Sequence, residues 1–435
     1  MNERSRHEHA APHAGAEAPG REHTALRVNG ARLWDSLERM ARIGATQKGG
    51  VCRLALTELD REGRDLFVQW AREAGCTIRV DQMGNVFARR GRNPDAAPVL
   101  TGSHADTQPT GGRYDGIYGV LGGLEVIRTL NDAGVRTEHP VEAVIWTNEE
   151  GSRFARDDLV GRLCGRVPAR IRALAHRRHG YDDRRGARAD RLRGRRAGRR
   201  HAVHAAYELH IEQGAILERS GKTIGVVTAG QGQRWYEIEL VGVDAHAGTT
   251  PMDLRRDALA GGAHDYVRRG AGAPIRAAWA RHGRHDRGEA QLAQHVPGRC
   301  FFTVEFRHPD AGVLAELDRN CALSWPRGAG GAARAHDRAD LRLCAGAVRA
   351  SMHRPVGAAV MLDLPHDDIV SGAGHDACYL ACRAHGHDFR AVRRRVESQR
   401  GRAITPEWAE AGANVLLQVM LESALMGGRE SMGGG

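Results

Sequence analysis

The chain reads as an α/β protein of two domains: a mostly parallel sheet carrying the site, with a smaller α+β unit inserted into it. Three observations predict this. A buried-strand signal at Pro98–Leu100, apolar residues at helical spacing from Ile117 to Leu130, and a second strand at Val141–Thr147 follow in order. That order is a βαβ unit, and it implies a parallel pair. Past residue 219 the texture changes to alternating strands at Ile224–Val227, Trp235–Val241 and Cys300–Arg307, as expected of an antiparallel unit. At 435 residues, finally, the chain exceeds one ordinary core.

Each element has its own signal. Leu33, Leu37, Met40 and Ala41 lie on one face of an amphipathic helix. Cys76–Arg90 reads as two short strands around a Gly-Asn turn. Ile117, Val120, Leu121, Leu124, Ile127 and Leu130 form a second helix, with Gly134 as its stop. Tyr207–Glu212 is another strand, and Pro406–Met426 a closing helix. The expected division is a flexible tail over 1–24, the first part of the larger domain over 25–218, the inserted unit over 219–335, and the second part over 336–435.

Charge and composition exclude several classes. The net charge of +11 would suit an acidic partner, but residues 156–200 alone hold 16 Arg and 5 Asp, which accounts for all of it. That window has no clean apolar period and no interleaved aromatics for base stacking, so nucleic-acid binding is not expected. No apolar run approaches the roughly 18–20 residues that span a bilayer, and the N-terminus lacks the apolar stretch of a secretory signal. Eight cysteines without a paired spacing suit free thiols and a cytoplasmic setting. Only two of the 64 basic residues are lysines, Lys48 and Lys222. With that bias, the Arg-rich tracts over 156–205, 270–288, 327–342 and 390–402 read as shifted-frame translations of GC-rich coding sequence.

Two loops carry the chemistry. Gly102–Gly116, GSHADTQPTGGRYDG, and Thr147–Gly151, TNEEG, each follow a strand, and in open α/β sheets ligands bind beyond the carboxyl ends of strands. His104, Asp115, Glu150 and His210 form a His/carboxylate set suited to zinc or another divalent first-row ion. Two such ions, bridged by a carboxylate, would clamp a nucleophile and a polarised carbonyl. Of the paired Glu149 and Glu150, one would bind metal and the other take a proton from the attacking water. Asp106 is placed to hold the other nitrogen of His104.

These stretches, with ELHIEQGAILE, DAHAGTTPMDLRRDAL and SGAGHDA, resemble in order the signatures of the hydantoinase/carbamoylase family. That group contains N-carbamoyl-L-amino-acid amidohydrolases, allantoate amidohydrolases and β-ureidopropionases, and is related to dinuclear-metal aminopeptidases and aminoacylases. The resemblance implies a metallo-aminopeptidase-like domain with an inserted lid and dimerisation unit, a homodimer, and two divalent ions (Zn, Mn, Co or Ni) per chain. His104 and His210 then match terminal metal ligands, Asp115 the bridging carboxylate, Glu150 a ligand of the second ion and Glu149 the general base. Gln213 matches a contact of the ureido group, His246 an oxyanion donor from the inserted unit, often across a dimer, and Arg307 the fork on the substrate carboxylate.

The implied reaction is hydrolysis of the carbamoyl C–N bond of an N-carbamoyl-L-amino acid or allantoate-like acid. Aminoacylase or dipeptidase activity, or a catalytically impaired homologue acting as a scaffold, are its rivals. The chain departs from the family pattern at two places. Gln294 stands where the family has an Asn substrate contact. The family's last metal ligand comes from an SHNE-like stretch before the TPEW helix, and here Phe389–Trp408 contains no His, leaving only the nearby His385 and His387. Fewer than two ions per chain are therefore expected, with weak or no activity.

Overall fold

The computed structural model describes residues 26–91, 93, 95–153, 203–214, 216–259, 278–282, 294–323, 332–337, 346–347, 353–377, 389–394 and 404–425. The expected N-terminal tail, nearly all of the 156–205 tract, and His385 and His387 lie outside the described residues.

Helix α1 (Gly30–Arg42) begins where the Asn29 side chain accepts the Arg32 N–H, and it buries the expected stripe of Leu33, Leu37 and Met40. Thr57 caps α2 (Glu58–Glu73) in the same way through the Asp60 N–H. Strands β1 (Thr77–Val80) and β2 (Val86–Arg90) form the predicted hairpin. The βαβ unit is β3 (Val99–His104), α3 (Ile117–Asp132) and β4 (Val141–Trp146), with β3 and β4 parallel from Val99 opposite Val141. Helix α3 stops at Gly134, whose φ of +63° is a conformation that glycine adopts without strain. The Arg90 guanidinium completes that end by donating to the carbonyls of Leu130 (3.3 Å) and Val135 (2.5 Å).

The chain continues through β5 (Ala205–Ile211), β6 (Ile224–Gly230), β7 (Gly232–Val241), the two-residue β8 (Ala245–His246), β9 (Ala278–His282), β10 (His295–Val296) and β11 (Arg299–His308). Then come α4 (Ala311–Leu323), β12 (Ala332–Asp337), β13 (Gly346–Ala347), α5 (His353–Met361), β14 (His366–Ser371), β15 (Phe389–Arg394) and α6 (Pro406–Leu425). Three of the Arg-rich tracts contribute strand residues, in β9, β12 and β15.

Among the described residues, nine strands form one sheet in the order β1-β2-β4-β3-β5-β15-β6-β13, with β14 also on β6. The run β4-β3-β5-β15 is parallel, as is β14 on β6, while β1–β2, β2–β4, β15–β6 and β6–β13 are antiparallel. The sheet is thus mixed rather than mostly parallel. A tight hairpin joins only antiparallel neighbours, so the β1–β2 turn imposes an antiparallel edge. Strand β6, read from the sequence as the start of the inserted unit, pairs in this large sheet. A second, antiparallel sheet has the order β12-β7-β11-β9, and β8 pairs β10 as a separate ribbon.

One face of the large sheet, through Val99, Val141, Ala143, Ile145 and Leu209, packs against α3, with α1 and α6 completing the layer. Being enclosed on all sides, α3 is apolar nearly all round. The opposite face buries Phe87, Leu100, Val144, Trp146 and Ala206. A clasp joins the two ends of the described chain. The Val28 N–H donates to Asn414 Oδ1 at 2.8 Å, and Gln418 Nε2 donates to the Leu26 carbonyl at 2.8 Å.

Candidate functional site

Because β4, β3 and β5 run side by side in one direction, their carboxyl ends open along one edge of the sheet. His104 is the last residue of β3, Glu149 and Glu150 lie just past β4, and His210 is the penultimate residue of β5. Asp115 comes from the loop before α3. Gly116 follows it with φ +68°, and a Cβ there would overlap the His104 ring. Glycine therefore lets the chain turn into α3 directly against that imidazole. His104, Asp115 and His210 are buried, and each offers a donor atom within 4.8 Å of the others. His210 Nε2 lies 3.3 Å from Asp115 Oδ1, and His104 Nε2 lies 3.6 Å from Glu149 Oε2.

The orientation of both rings follows from their other nitrogens. His104 Nδ1 is 2.8 Å from the Asp106 carbonyl oxygen, and His210 Nδ1 is 2.8 Å from that of Ile211. A carbonyl only accepts, so each Nδ1 carries a hydrogen and each Nε2 is the nitrogen turned to the shared space, free to ligate once it gives up any proton. For Asp106 the structure shows which atom makes the contact. Its backbone carbonyl, not its carboxylate, holds His104. The carboxylate crosses to the neighbouring loop, where Oδ1 accepts the Glu149 N–H and Oδ2 the Glu150 N–H, each at 3.3 Å. The His104 ring can turn back onto a carbonyl already within reach two residues on, which leaves the longer side chain to bridge the two loops.

Burial works against a charged His104, yet the carboxylates of Asp106, Glu150, Asp115 and Asp376 outweigh it and raise its pKa to about 9. Glu150 is pushed up to about 7, first by burial, with His104 opposing and Asp115 adding. Gln108 Nε2 also donates to Glu150, at 2.9 Å. A buried imidazole that holds on to its proton so far above its ordinary value marks a space rich in negative charge. Imidazole lone pairs and carboxylates around such a space fit a divalent first-row cation.

Gln213, with φ +54°, places Nε2 2.6 Å from both oxygens of Asp115, so it lies within the cluster. Arg307 donates from Nη1 to the Gly372 carbonyl at 2.6 Å, next to the stretch that carries His375. His246 and Gln294 instead belong to the exposed β8–β10 region, where the Ala247 N–H donates to the Gln294 carbonyl at 2.7 Å.

Three further residues join the site, and a fourth lies opposite Arg307. The buried His375 ring lies 4.5 Å from that of His210, and with Glu208 these two form a second group of possible ligands. Glu208 accepts Ser103 Oγ–H and the Ala377 N–H, both at 2.8 Å, which ties the turn through His375 and Asp376 to the central strands. Asp376 is fully buried beside it and acts on His104 through its charge. A signal existed for these three: the His and Asp in SGAGHDA, and the strand period of two that puts Glu208 on the His210 face. Gln233 had none. It is 1% exposed, lies directly across β7–β11 from Arg307, and neither polar atom of its amide has a hydrogen-bond partner among the described residues. An unmade bond of this kind costs about 1–3 kcal/mol, so the position favours a ligand that would supply it.

The fold and this edge of the sheet define the class: the chain belongs to the peptidase family M20/M25/M40, which it matches over residues 100–422. Within it, the chain is 39% identical over 420 residues to an N-carbamoyl-L-amino-acid amidohydrolase of Rhizobium meliloti, covering 92% of this chain and 97% of that one. An allantoate amidohydrolase of Bacillus subtilis is 31% identical over 372 residues, with 81% and 87% covered. Among solved structures, the hydantoinase/carbamoylase family amidase of Burkholderia vietnamiensis is similar at 48% identity and a TM-score of 0.81, covering 93% of this chain and 99% of that one. Its counterpart from Burkholderia multivorans gives 49%, 0.76, 92% and 99%. The resemblance carried by five short motifs thus extends over nearly the whole chain.

Proposed function

We propose that the chain hydrolyses the carbamoyl (ureido) C–N bond of an N-carbamoyl-L-amino acid or an allantoate-like acid, releasing ammonia, carbon dioxide and the amine. The observation that carries this reading is the buried triad His104, Asp115 and His210 with the Glu149 carboxylate 3.6 Å from His104 Nε2. The names of the relatives, N-carbamoyl-L-amino-acid and allantoate amidohydrolases, support the substrate class.

His104, Asp115 and His210 would hold one divalent ion (zinc, manganese, cobalt or nickel), and Asp115 with Glu150 would serve a second. When bound, such ions polarise a carbonyl and acidify water. Glu149 would accept the proton of the attacking water and return it to the leaving nitrogen. His246 Nδ1 accepts the N–H of Gly248 (3.0 Å) and Thr249 (3.3 Å), so its hydrogen sits on Nε2. That makes it a donor for the developing oxyanion. Arg307 would fork onto the substrate carboxylate with the Gln233 amide beside it. Gln213, held on Asp115, would meet the ureido end, and Gln294 would stand near His246.

The antiparallel sheet and the β8–β10 ribbon would form the lid, and a second copy would cover its exposed Met252 (77%) and Leu254 (69%). Among the described residues no helix is long and apolar enough to cross a membrane, and a cytoplasmic setting is proposed from the cysteine pattern.

A substrate panel on the metal-reconstituted chain tests the reading. Carbamoyl acids should turn over faster than N-acetyl amino acids and dipeptides, and the reverse order would make the chain an aminoacylase or dipeptidase. Mass spectrometry should find fewer than two ions per chain, since the interval before the TPEW helix lacks a histidine. Two tightly bound ions would mean that another residue completes the second site.

A further inference from the structure

Beneath the candidate ligands lies an arginine that the chemistry above does not use. Arg53 is 1% exposed. Its Nε donates to the Ala105 carbonyl at 2.7 Å, and Nη1 donates to the carbonyls of Ile43 (3.0 Å) and Met40 (3.2 Å) at the end of α1. Its backbone pairs with Thr107 in both directions. The Arg53 N–H donates to Thr107 Oγ1 at 2.7 Å, and the Thr107 N–H donates to the Arg53 carbonyl at 2.8 Å.

The segment Ala105–Thr107 is therefore gripped on both sides of Asp106. Asp106 in turn holds His104 through its carbonyl, and Glu149 and Glu150 through its carboxylate. A second buried cation completes the support. Arg64 pairs with Asp60 at 2.9 Å and donates to the Gly84 carbonyl (2.7 Å) and Thr147 Oγ1 (3.2 Å), at the head of the Glu149 loop. Burial lowers the Arg53 pKa to about 10 against the pull of Asp60 and Asp106, so the side chain is a cation at neutral pH.

We infer that Arg53 is a positioning residue: by fixing Ala105 and Thr107 it sets the place of Asp106, and through Asp106 the geometry of His104, Glu149 and Glu150. The inference rests on the reading of those residues as the site. Arg53→Lys keeps the charge but loses the planar fork that reaches three carbonyls. Thr107→Val replaces the hydroxyl, which accepts the Arg53 N–H and donates to the Gln108 carbonyl at 2.9 Å, by a methyl of similar size. Arg89→Lys is the control, because Arg89 likewise donates to two carbonyls, those of Asn93 (2.7 Å) and Ala96 (2.8 Å), but away from the site loops.

Each full-length variant is titrated with Co²⁺, and amide exchange across Thr147–Gly151 is measured without metal. Arg53→Lys should weaken cobalt binding about 10–100-fold, alter the visible spectrum, speed exchange of the Glu149 and Glu150 amides, and lower kcat more than it changes KM. Thr107→Val should shift the same way by less, and it carries the test if the lysine variant does not fold. Arg89→Lys should match the parent. Parent-like affinity, spectrum and exchange in both Arg53→Lys and Thr107→Val would overturn the inference. If the parent itself binds no cobalt, the metal-site reading falls, and exchange alone then decides on Arg53, with parent-like rates overturning it.

Discussion

His104 and His246 are both assigned to one reaction, yet they are built differently. His104 is 2% exposed at the end of a central strand, its ring fixed by a carbonyl two residues away and set among the carboxylates of Asp106, Asp115, Glu149, Glu150 and Asp376. His246 is exposed on a two-residue strand, its Nδ1 held by two N–H groups of its own turn. In the first environment the ring is held in place by buried groups of the fold itself, with no substrate needed to orient it. The second settles which nitrogen carries the hydrogen, and leaves the ring to be brought to its target. The buried histidine is held by the large sheet and the exposed one by a short ribbon, so the two would respond differently to substitution.

The comparison breaks most visibly at Glu149. Glu149→Gln should retain metal and lose kcat by about 10²–10⁴, because an amide cannot take the proton. A rate within a few-fold of the parent would remove Glu149 as the base. For the exposed side, His246→Ala should lower kcat by about 10²–10³ at unchanged metal content. Loss of metal in that variant would erase the distinction between the two regions. Arg307→Lys should be milder, raising KM for an acid substrate about tenfold while sparing its neutral amide. Equal effects on the two would take Arg307 out of the carboxylate pocket.

The smallest expected effect concerns pH. His104 is raised from about 6.5 to about 9, so its stabilising contribution is complete below the lower value and lost as pH rises through the upper one. Glu150, raised from about 4.5 to about 7, has the same sign and loses its contribution through 7. The chelator-treated chain should melt at progressively lower temperature from about pH 5 to about pH 9. Added divalent metal should flatten that slope by replacing the protons. A flat profile in chelator would show that the cluster does not need positive charge.

The residues proposed for the site could be picked out before the fold was seen, because they sit at or just past the ends of strands, where a β-sheet gathers them by position alone. His104, Asp115, Glu149, Glu150 and His210 are of this kind. What stayed hidden depends on contacts between distant segments. That Asp106 uses its carbonyl for His104 and its carboxylate for the next loop is decided by the spacing of β3 and β4. Gln233 becomes notable only when β7 lies against β11 and buries its amide. The mixed edge of the sheet and the placement of β6 were missed for a similar reason, since strand signals say little about which neighbour a strand will choose.

The clasp between Leu26–Val28 and α6 has a consequence for how the chain is made. Helix α3 ends at Asp132 and strands β3, β4 and β5 are complete by Ile211, but α6, which covers them, begins only at Pro406. At about 5–20 residues per second, a largely apolar helix waits on the order of tens of seconds for its cover. A nascent chain arrested before Pro406 should therefore be cleaved by protease faster than the full chain, its central layer still lacking that helix.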